Sequence, residues 1–218
     1  MARTITVKGI GKTSVKPDQV EIRFSLEAKD KNYDKAMTLA AEQISRISTA
    51  LEQADFEKES LKTVAFDVQT VYDNVRDKYQ NYTRVFEGYK CCHTLKLLFD
   101  FDSFTLSRAL HAIAKSRVNP EIRISFTVKD PDAVNALILQ DAATNARQKA
   151  EILCHASGVT LGNLVTIDYN WNEVSFVSRT VYDYDSDCIA VGAAPSNIEI
   201  NPDDINAADS AAFTWGIL

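Results

Sequence analysis

One long helix constrains this chain more than any other stretch of its sequence. The predicted helix runs from Pro131 to Ser157, after Asp130, which is a good N-cap. Gly158 suits the left-handed position that ends many helices. Between these signals, apolar residues at spacings of three and four predict one buried stripe, made of Ala136, Leu139, Ala143, Ala146, Ala150 and Leu153.

Alanine dominates this stripe, which predicts close packing of the helix onto a sheet or another helix rather than around a bulky ligand. At 1.5 Å per residue the helix is roughly 40 Å long. It should therefore span the molecule, and the remaining segments should be strands and shorter helices that cover it.

The other segments switch between strand and helix periods. Residues 32–54 and a short stretch after Asp102 are helical in pattern, whereas strands are predicted at 3–10, 19–29, 62–72, 85–99, 121–129, after Gly162 and at 211–218. Strands with one solvated face favour antiparallel pairing. The sequence thus predicts an α+β fold, with a largely antiparallel sheet and three main helices packed against it. We expect a single domain over residues 1–218, with two subdomains, at about 1–84 and 85–218, as the alternative.

The charge of the chain limits its function. The 24 basic and 30 acidic residues give a net charge of −6, which argues against nucleic-acid binding. No Lys or Arg follows Arg179, so the C-terminal part is uniformly acidic. The first residues contain no apolar run long enough for a signal peptide or a membrane span, which predicts a cytoplasmic protein, with an exported protein lacking its leader as the alternative. The cysteines lack C-x-x-C spacing, and we interpret them as reduced, buried thiols: Cys91, Cys92, Cys154 and Cys188.

No motif indicates a cofactor, a metal or a catalytic group. Asp183, Asp185 and Asp187 match the first acidic positions of a calcium loop, but the glycine and the twelfth-position carboxylate are missing, so a solvated acidic loop is favoured. The three histidines, His93, His111 and His155, are scattered. The stretch from Tyr72 to Tyr89 mixes aromatic residues with Arg and Lys, but acidic neighbours cancel the charge, and we interpret it as an exposed hairpin tip rather than a base-stacking surface.

The glycines near the N-terminus begin a dinucleotide-binding pattern that is not completed. Gly9 and Gly11 would need a third glycine at Ser14, followed by a helix that does not begin there. A bend or bulge in a strand is therefore predicted. Pro17 sets a turn, and Asp18 is expected to hydrogen-bond the backbone beside it.

Four segments occur in an order that points to a known family. They are TITVKGIGKTSVKPDQVEI, EIRISFTVKDP, DAATNARQKAEILCHASGVTLG, and the ending in which Asn201-Pro202-Asp203-Asp204 precedes a strand with Phe213 and Trp215. This set resembles the SIMPL domain family over essentially the whole chain. The resemblance implies a mixed α+β fold and a tendency to form homo-oligomers. It supplies no catalytic residues. The matched positions that we expect to have structural roles are Gly9, Gly11, Pro17, Asp18, Gly158 and Gly162. Many members are exported to the periplasm or cell envelope.

Two function hypotheses follow. The first is a non-enzymatic structural or interaction protein, oligomeric and without a cofactor. The alternative is a small-molecule-binding or hydrolytic enzyme whose site forms at a subunit boundary. The apolar C-terminal strand, with Phe213, Trp215 and Ile217 on one face, should bury an interface or close the edge of a sheet, since it would otherwise favour aggregation.

Overall fold

The computed structural model describes residues 3–76, 82–169, 174–184 and 200–218. In chain order the elements are β1 (Thr4–Val15), β2 (Gln19–Asp30), α1 (Tyr33–Glu52), β3 (Leu61–Arg76), β4 (Tyr82–Asp100), α2 (Ser103–Lys115), β5 (Glu121–Thr127), α3 (Pro131–Ala156), β6 (Leu161–Asp168), β7 (Val177–Tyr184) and β8 (Ile205–Ile217). Over the described ranges, three helices and two largely antiparallel sheets confirm the predicted α+β fold.

The chain forms two units, each assembled from separate segments. Unit 1 contains Met1–Asp18, Thr127–Arg179 and Pro202–Leu218, and unit 2 contains Gln19–Phe126 and Thr180–Asn201. No single cut in the chain separates them, because both ends of the sequence belong to unit 1.

Unit 1 is a three-stranded sheet with α3 on one face. The strand order is β1-β8-β6, and β1 pairs with β8 from Thr4↔Gly216 to Val15↔Ile205 without a register shift. Phe213, Trp215 and Val7 form the core together with alanines of α3. The final strand begins already at Ile205, well before the predicted start at 211, because the small residues from Ala207 to Ala212 weaken the alternation of apolar and polar positions.

Side chains and a glycine fix both ends of α3. The Asp130 carboxylate accepts a hydrogen bond from the Ala133 amide at 2.9 Å, which satisfies one of the free N–H groups of the first turn. At the other end Gly158 has φ +69°, and the Val159 amide donates to the Cys154 carbonyl at 3.0 Å. The helix therefore ends one residue before the predicted Ser157.

The buried stripe of α3 differs from the predicted one. Of the predicted residues, Ala146 and Ala150 are fully buried, whereas Ala136, Ala143 and Leu153 are exposed. The buried residues follow a strict spacing of four: Val134, Ile138, Ala142, Ala146, Ala150 and Cys154. A row of this spacing is inclined to the helix axis, so the contact winds around α3 instead of keeping to one face.

Unit 2 is built on the five-stranded sheet, with order β3-β4-β2-β5-β7. Its core joins inward-facing strand residues such as Phe24 and Leu95 to Ile47 of α1 and Ile113 of α2. Asn32 caps α1, and Asp102 caps α2. Two strand predictions were wrong in extent. Strands β3 and β4 continue into the stretch from Tyr72 to Tyr89 that was interpreted as a hairpin tip, and β7 was not among the predicted strands.

Candidate interaction surface

Strands β3 and β4 extend as a two-stranded arm beyond the rest of their sheet. Pairing of β2 with β4 ends at Asp30↔Tyr89, whereas pairing of β3 with β4 continues to Arg76↔Tyr82. We call residues 71–76 and 82–88 the arm. Its outer pairs extend about 17 Å at 3.4 Å per residue. No other strand of the described chain pairs with it.

Aromatic rings and guanidinium groups form a ladder along one face of the arm. Tyr33 at the start of α1 contacts Tyr89 edge to face, with ring centroids 5.5 Å apart, and Tyr89 contacts Phe86 at 5.4 Å. Phe86 contacts Tyr72 at 5.8 Å, and the Arg84 guanidinium lies 4.3 Å from the Tyr72 ring centroid. Each such contact contributes about 0.5–1.5 kcal/mol. The ladder thus stiffens a hairpin that would be marginally stable alone.

Large apolar groups of the arm remain open to solvent on both faces. Tyr72 and Phe86 are each 43% exposed and Tyr82 is 66% exposed, while Val75 and Val85, on the opposite face, are 46% and 47% exposed. A contiguous apolar surface of this kind on a strand pair is typical of a binding site for another protein chain.

The described residues of the arm carry balanced charge. They include Asp73 and Glu87 as acids and Arg76 and Arg84 as bases. Arg76 also stacks on its neighbour, with the guanidinium 4.9 Å from the Tyr82 ring centroid.

A bulge and a glycine set the base of the arm. The register shifts between Val71 and Tyr72, and Gly88 has φ +154°, where a Cβ would lie 2.6 Å from the Asp30 carbonyl oxygen. Only glycine therefore allows β4 to pass the end of β2 this closely. A shallow cleft beside this crossing is lined by Lys29, Asp30, Lys31, Val71, Glu87, Gly88 and Tyr89. It brings together no buried catalytic group.

Titratable groups do not converge on a metal or catalytic site within the described residues. No group of three or more His, Cys, Asp or Glu side chains is placed to hold a metal there. His93 is buried, with Nε2 3.0 Å from the Thr63 hydroxyl, and burial lowers its pKa. Burial likewise raises the pKa of the Cys91 thiol. Asp185, Asp187 and Cys188 lie outside the described residues, and the Asp183 side chain is not described either.

One carboxylate of the acidic C-terminal part is buried in unit 1 rather than solvated. Asp209 accepts a hydrogen bond from the Tyr169 hydroxyl at 2.9 Å and from the Ser210 amide at 2.7 Å. The bond to Asp209 raises the pKa of Tyr169. Both carboxylate oxygens of Asp209 thus accept a hydrogen bond, and the bond from Tyr169 fixes the end of β6 to β8.

The two N-terminal glycines allow α3 to touch β1, which corrects the predicted bend or bulge. The β1–β8 register is continuous through Gly9 and Gly11. A Cβ at Gly9 would lie 2.1 Å from the Ala142 carbonyl oxygen, and one at Gly11 would lie 1.8 Å from that of Ile138. The glycines thus serve close helix–strand packing and not a nucleotide.

Polar side chains of α3 also cover the free edge of β1. Asp141 accepts from the Lys12 amide at 2.9 Å, Asn145 accepts from the Ile10 amide at 3.1 Å, and the Lys149 ammonium donates to the Lys8 carbonyl at 3.3 Å. The three side chains recur every four residues, as the adjacent buried row does. They occupy edge groups that would otherwise accept a further strand.

The other predicted structural positions also lie in unit 1. Asp18, which follows Pro17, accepts a hydrogen bond through its carboxylate from the Lys129 amide at 2.7 Å. The Asp18 carboxylate therefore binds a segment distant in sequence and not the backbone beside it, as was predicted. Gly162 faces Gly216, and a Cβ added at Gly162 would lie 2.8 Å from the Gly216 carbonyl oxygen. Phe213 and Trp215 are each 7% exposed and stack with centroids 5.7 Å apart, while Ile217 pairs with Leu161. Because β8 lies between β1 and β6, its cover comes from its own chain.

Comparison with known proteins assigns the family. The model of SIMPL, described as a protein of unknown function (DUF541), matches residues 5–215. The chain belongs to the SIMPL family. Among the described residues of this SIMPL protein, no helix is both long and apolar enough to cross a membrane.

Two curated relatives carry the same name. The 26 kDa periplasmic immunogenic protein of Brucella abortus (strain S19) is 27% identical over 163 residues, and that of Brucella melitensis biotype 1 is 26% identical over 163 residues. Each alignment covers 75% of this chain and 65% of the relative's length. These names give no support to the predicted cytoplasmic location of this SIMPL protein.

Sequence reasoning recognised the composition of the arm but not its geometry. It placed Tyr72 to Tyr89 at a hairpin tip, yet the ladder depends on Tyr33, from a helix far along the chain, and on Gly88. One sequence signal could have indicated the ladder: Arg lies two residues from an aromatic residue, as at Arg84 and Phe86. Residues two apart share one face of a strand.

Proposed function

We propose that this SIMPL protein is a non-enzymatic interaction protein that associates with copies of itself through the arm. The observation that carries the proposal is the exposure of Tyr72, Phe86 and Tyr82 on a strand pair that no other described strand covers. Half-exposed aromatic residues next to arginine have the composition of interface hot spots.

The charges of the arm favour a second copy as the partner. Two acidic and two basic residues lie within the described part of the arm, so two arms can be arranged with opposite charges adjacent. A strongly basic or acidic partner would gain no such complementarity. The enzyme alternative has no converging groups to support it within the described residues.

Substitution of Phe86 tests the role of the arm. We expect the wild-type chain to show a concentration-dependent mass above that of the monomer in light scattering and sedimentation velocity. Phe86→Ser should weaken this association roughly 5- to 30-fold, the range for loss of a moderate hot spot. The matched control is Phe104→Ser on α2, because Phe104 is 71% exposed and lies outside the arm. A wild-type chain that stays monomeric at about 100 μM, or equal losses in the two variants, would refute the proposal.

We also propose that the protein is located in the periplasm. Support comes from the names of both curated relatives, which describe periplasmic proteins. Fractionation of the native host should recover the full-length protein with periplasmic markers, and recovery with cytosolic markers alone would contradict the proposal.

A further inference from the structure

The solvent face of the unit 1 sheet, opposite α3, has a charge arrangement that fits a second copy of itself. Residues that are paired directly across an antiparallel sheet project from the same face. Lys8 of β1 and Asp168 of β6 are both paired with Ala212 of β8, so these three residues form one cross-strand row. The next row along the sheet is Thr6, Thr214 and Thr166.

This face is open. Thr6, Lys8, Thr166 and Asp168 are exposed, and the alternate residues of β8, such as Phe213, are buried on the opposite side against α3. Neither the Lys8 ammonium nor the Asp168 carboxylate has an ion-pair partner among the described residues. The two charges lie on outer strands, about 10 Å apart at the strand spacing of about 4.8 Å.

Consider a second copy whose sheet lies face to face with the first, related to it by a two-fold axis that runs parallel to β8, midway between the two sheets. This rotation places β1 of the second copy over β6 of the first. It does not shift residues along the strand direction, so each cross-strand row lies over the same row of the other copy. Because Lys8 and Asp168 share one row, Lys8 of each copy then lies over Asp168 of the other. The arrangement forms two equivalent ion pairs and opposes the threonine rows, whose side chains are small enough for sheets about 10 Å apart.

We propose that the unit 1 sheet forms an isologous interface between two copies of this chain, in which Lys8 and Asp168 pair across the two-fold axis. The interface is separate from the arm and does not depend on it. Three strands offer about 500 Å² per copy, below the roughly 800 Å² of a standard interface, so the association is weak and sensitive to salt.

Charge exchange provides the test. Dimerisation is measured by sedimentation velocity on the full chain in a Phe86→Ser background, in which association through the arm is weakened. Lys8→Glu alone and Asp168→Lys alone should each weaken dimerisation roughly 30-fold, because each turns two attractive pairs into repulsive ones. The double variant should regain the affinity of its parent. An equimolar mixture of the two single variants should also dimerise, since each charge then meets its opposite only between chains.

Lys12→Glu is the matched control. Lys12 is exposed on the same face of β1 and changes the net charge equally, but it pairs with Ala208, in a row that β6 does not reach. It should leave dimerisation unchanged. A parent that stays monomeric at about 200 μM, equal effects of Lys8→Glu and Lys12→Glu, or failure of the mixture to dimerise would each overturn the sheet interface. None of these results bears on the arm, which is judged by Phe86→Ser against Phe104→Ser in the otherwise wild-type chain.

Discussion

Replacing Gly11 with alanine tests the packing on which unit 1 depends. The new Cβ would lie 1.8 Å from the Ile138 carbonyl oxygen and 2.8 Å from the Ala142 amide nitrogen, both backbone atoms of α3. Neither atom can rotate away. To reach ordinary contact at about 3.4 Å, the helix must withdraw from β1 by roughly 1.6 Å.

The cost follows from what this withdrawal breaks. It lengthens the bond from the Lys12 amide to Asp141, now 2.9 Å, and that from the Ile10 amide to Asn145, now 3.1 Å, beyond hydrogen-bond range. Loss of one charged and one neutral hydrogen bond costs about 2 kcal/mol at the lower end of the usual range, and overpacking adds about 1 kcal/mol or more. We therefore expect Gly11→Ala to lower the free energy of unfolding by about 3 kcal/mol.

Urea unfolding monitored by tryptophan fluorescence measures this loss, because Trp215 is buried in unit 1. Gly216→Ala is the control in the same sheet, since its Cβ would meet its nearest heavy atom only at 3.9 Å. It should change the free energy of unfolding by less than about 0.5 kcal/mol. A loss below about 1 kcal/mol for Gly11→Ala, or equal losses in both variants, would refute the close-packing argument. If Gly11→Ala does not fold, Asn145→Ala, with an expected loss of about 1 kcal/mol, tests the edge bond alone.

Two further predictions concern pH. Burial lowers the pKa of His93 in the folded chain, so the unfolded chain binds more protons near pH 6. The free energy of unfolding should therefore fall as pH drops below about 6.5. In urea titrations, His93→Gln should reduce this dependence on pH, and an unchanged dependence would contradict the prediction. Hydrogen bonds from the Thr105 amide and hydroxyl lower the pKa of Asp102, so its cap stabilises α2 above about pH 4 and is lost as pH falls through the lowered pKa. Asp102→Ala should lower the midpoint of thermal unfolding at pH 7, whereas Asp102→Asn should keep most of the cap. Equal losses in the two variants would argue against the cap.

Local signals in the sequence were sufficient for local structure. The caps at Asp102 and Asp130 were predicted because an N-cap acts on amides within three residues. Strand period likewise identified β2 and β5, whose faces differ sharply in polarity. Strand β7 was missed because its sequence, VSRTVYDY, shows only weak alternation and leads into an acidic stretch.

Pairing between distant segments was beyond these signals. The predicted role of Gly9 and Gly11 failed because their neighbour is α3, more than 120 residues further along the chain. The stripe of α3 was misassigned for the same reason: a period of 3.6 describes a straight contact, whereas a strand that crosses the helix selects a row with a spacing of four. Burial of Asp209 was not predicted because its donor, Tyr169, becomes adjacent only when β6 pairs with β8.

The contrast between the two units bears on function. In unit 1, the edge of β1 is occupied by Asp141, Asn145 and Lys149, which blocks addition of a strand there. In unit 2 the arm has two strand edges and two apolar faces, and no described side chain performs the same task beyond Tyr89. Arg84 and the tyrosine ladder hold the arm in shape without covering it, since the rings under them stay nearly half exposed. A hairpin that is stiffened but left uncovered loses little conformational entropy on docking, which favours a binding role for the arm over a purely structural one.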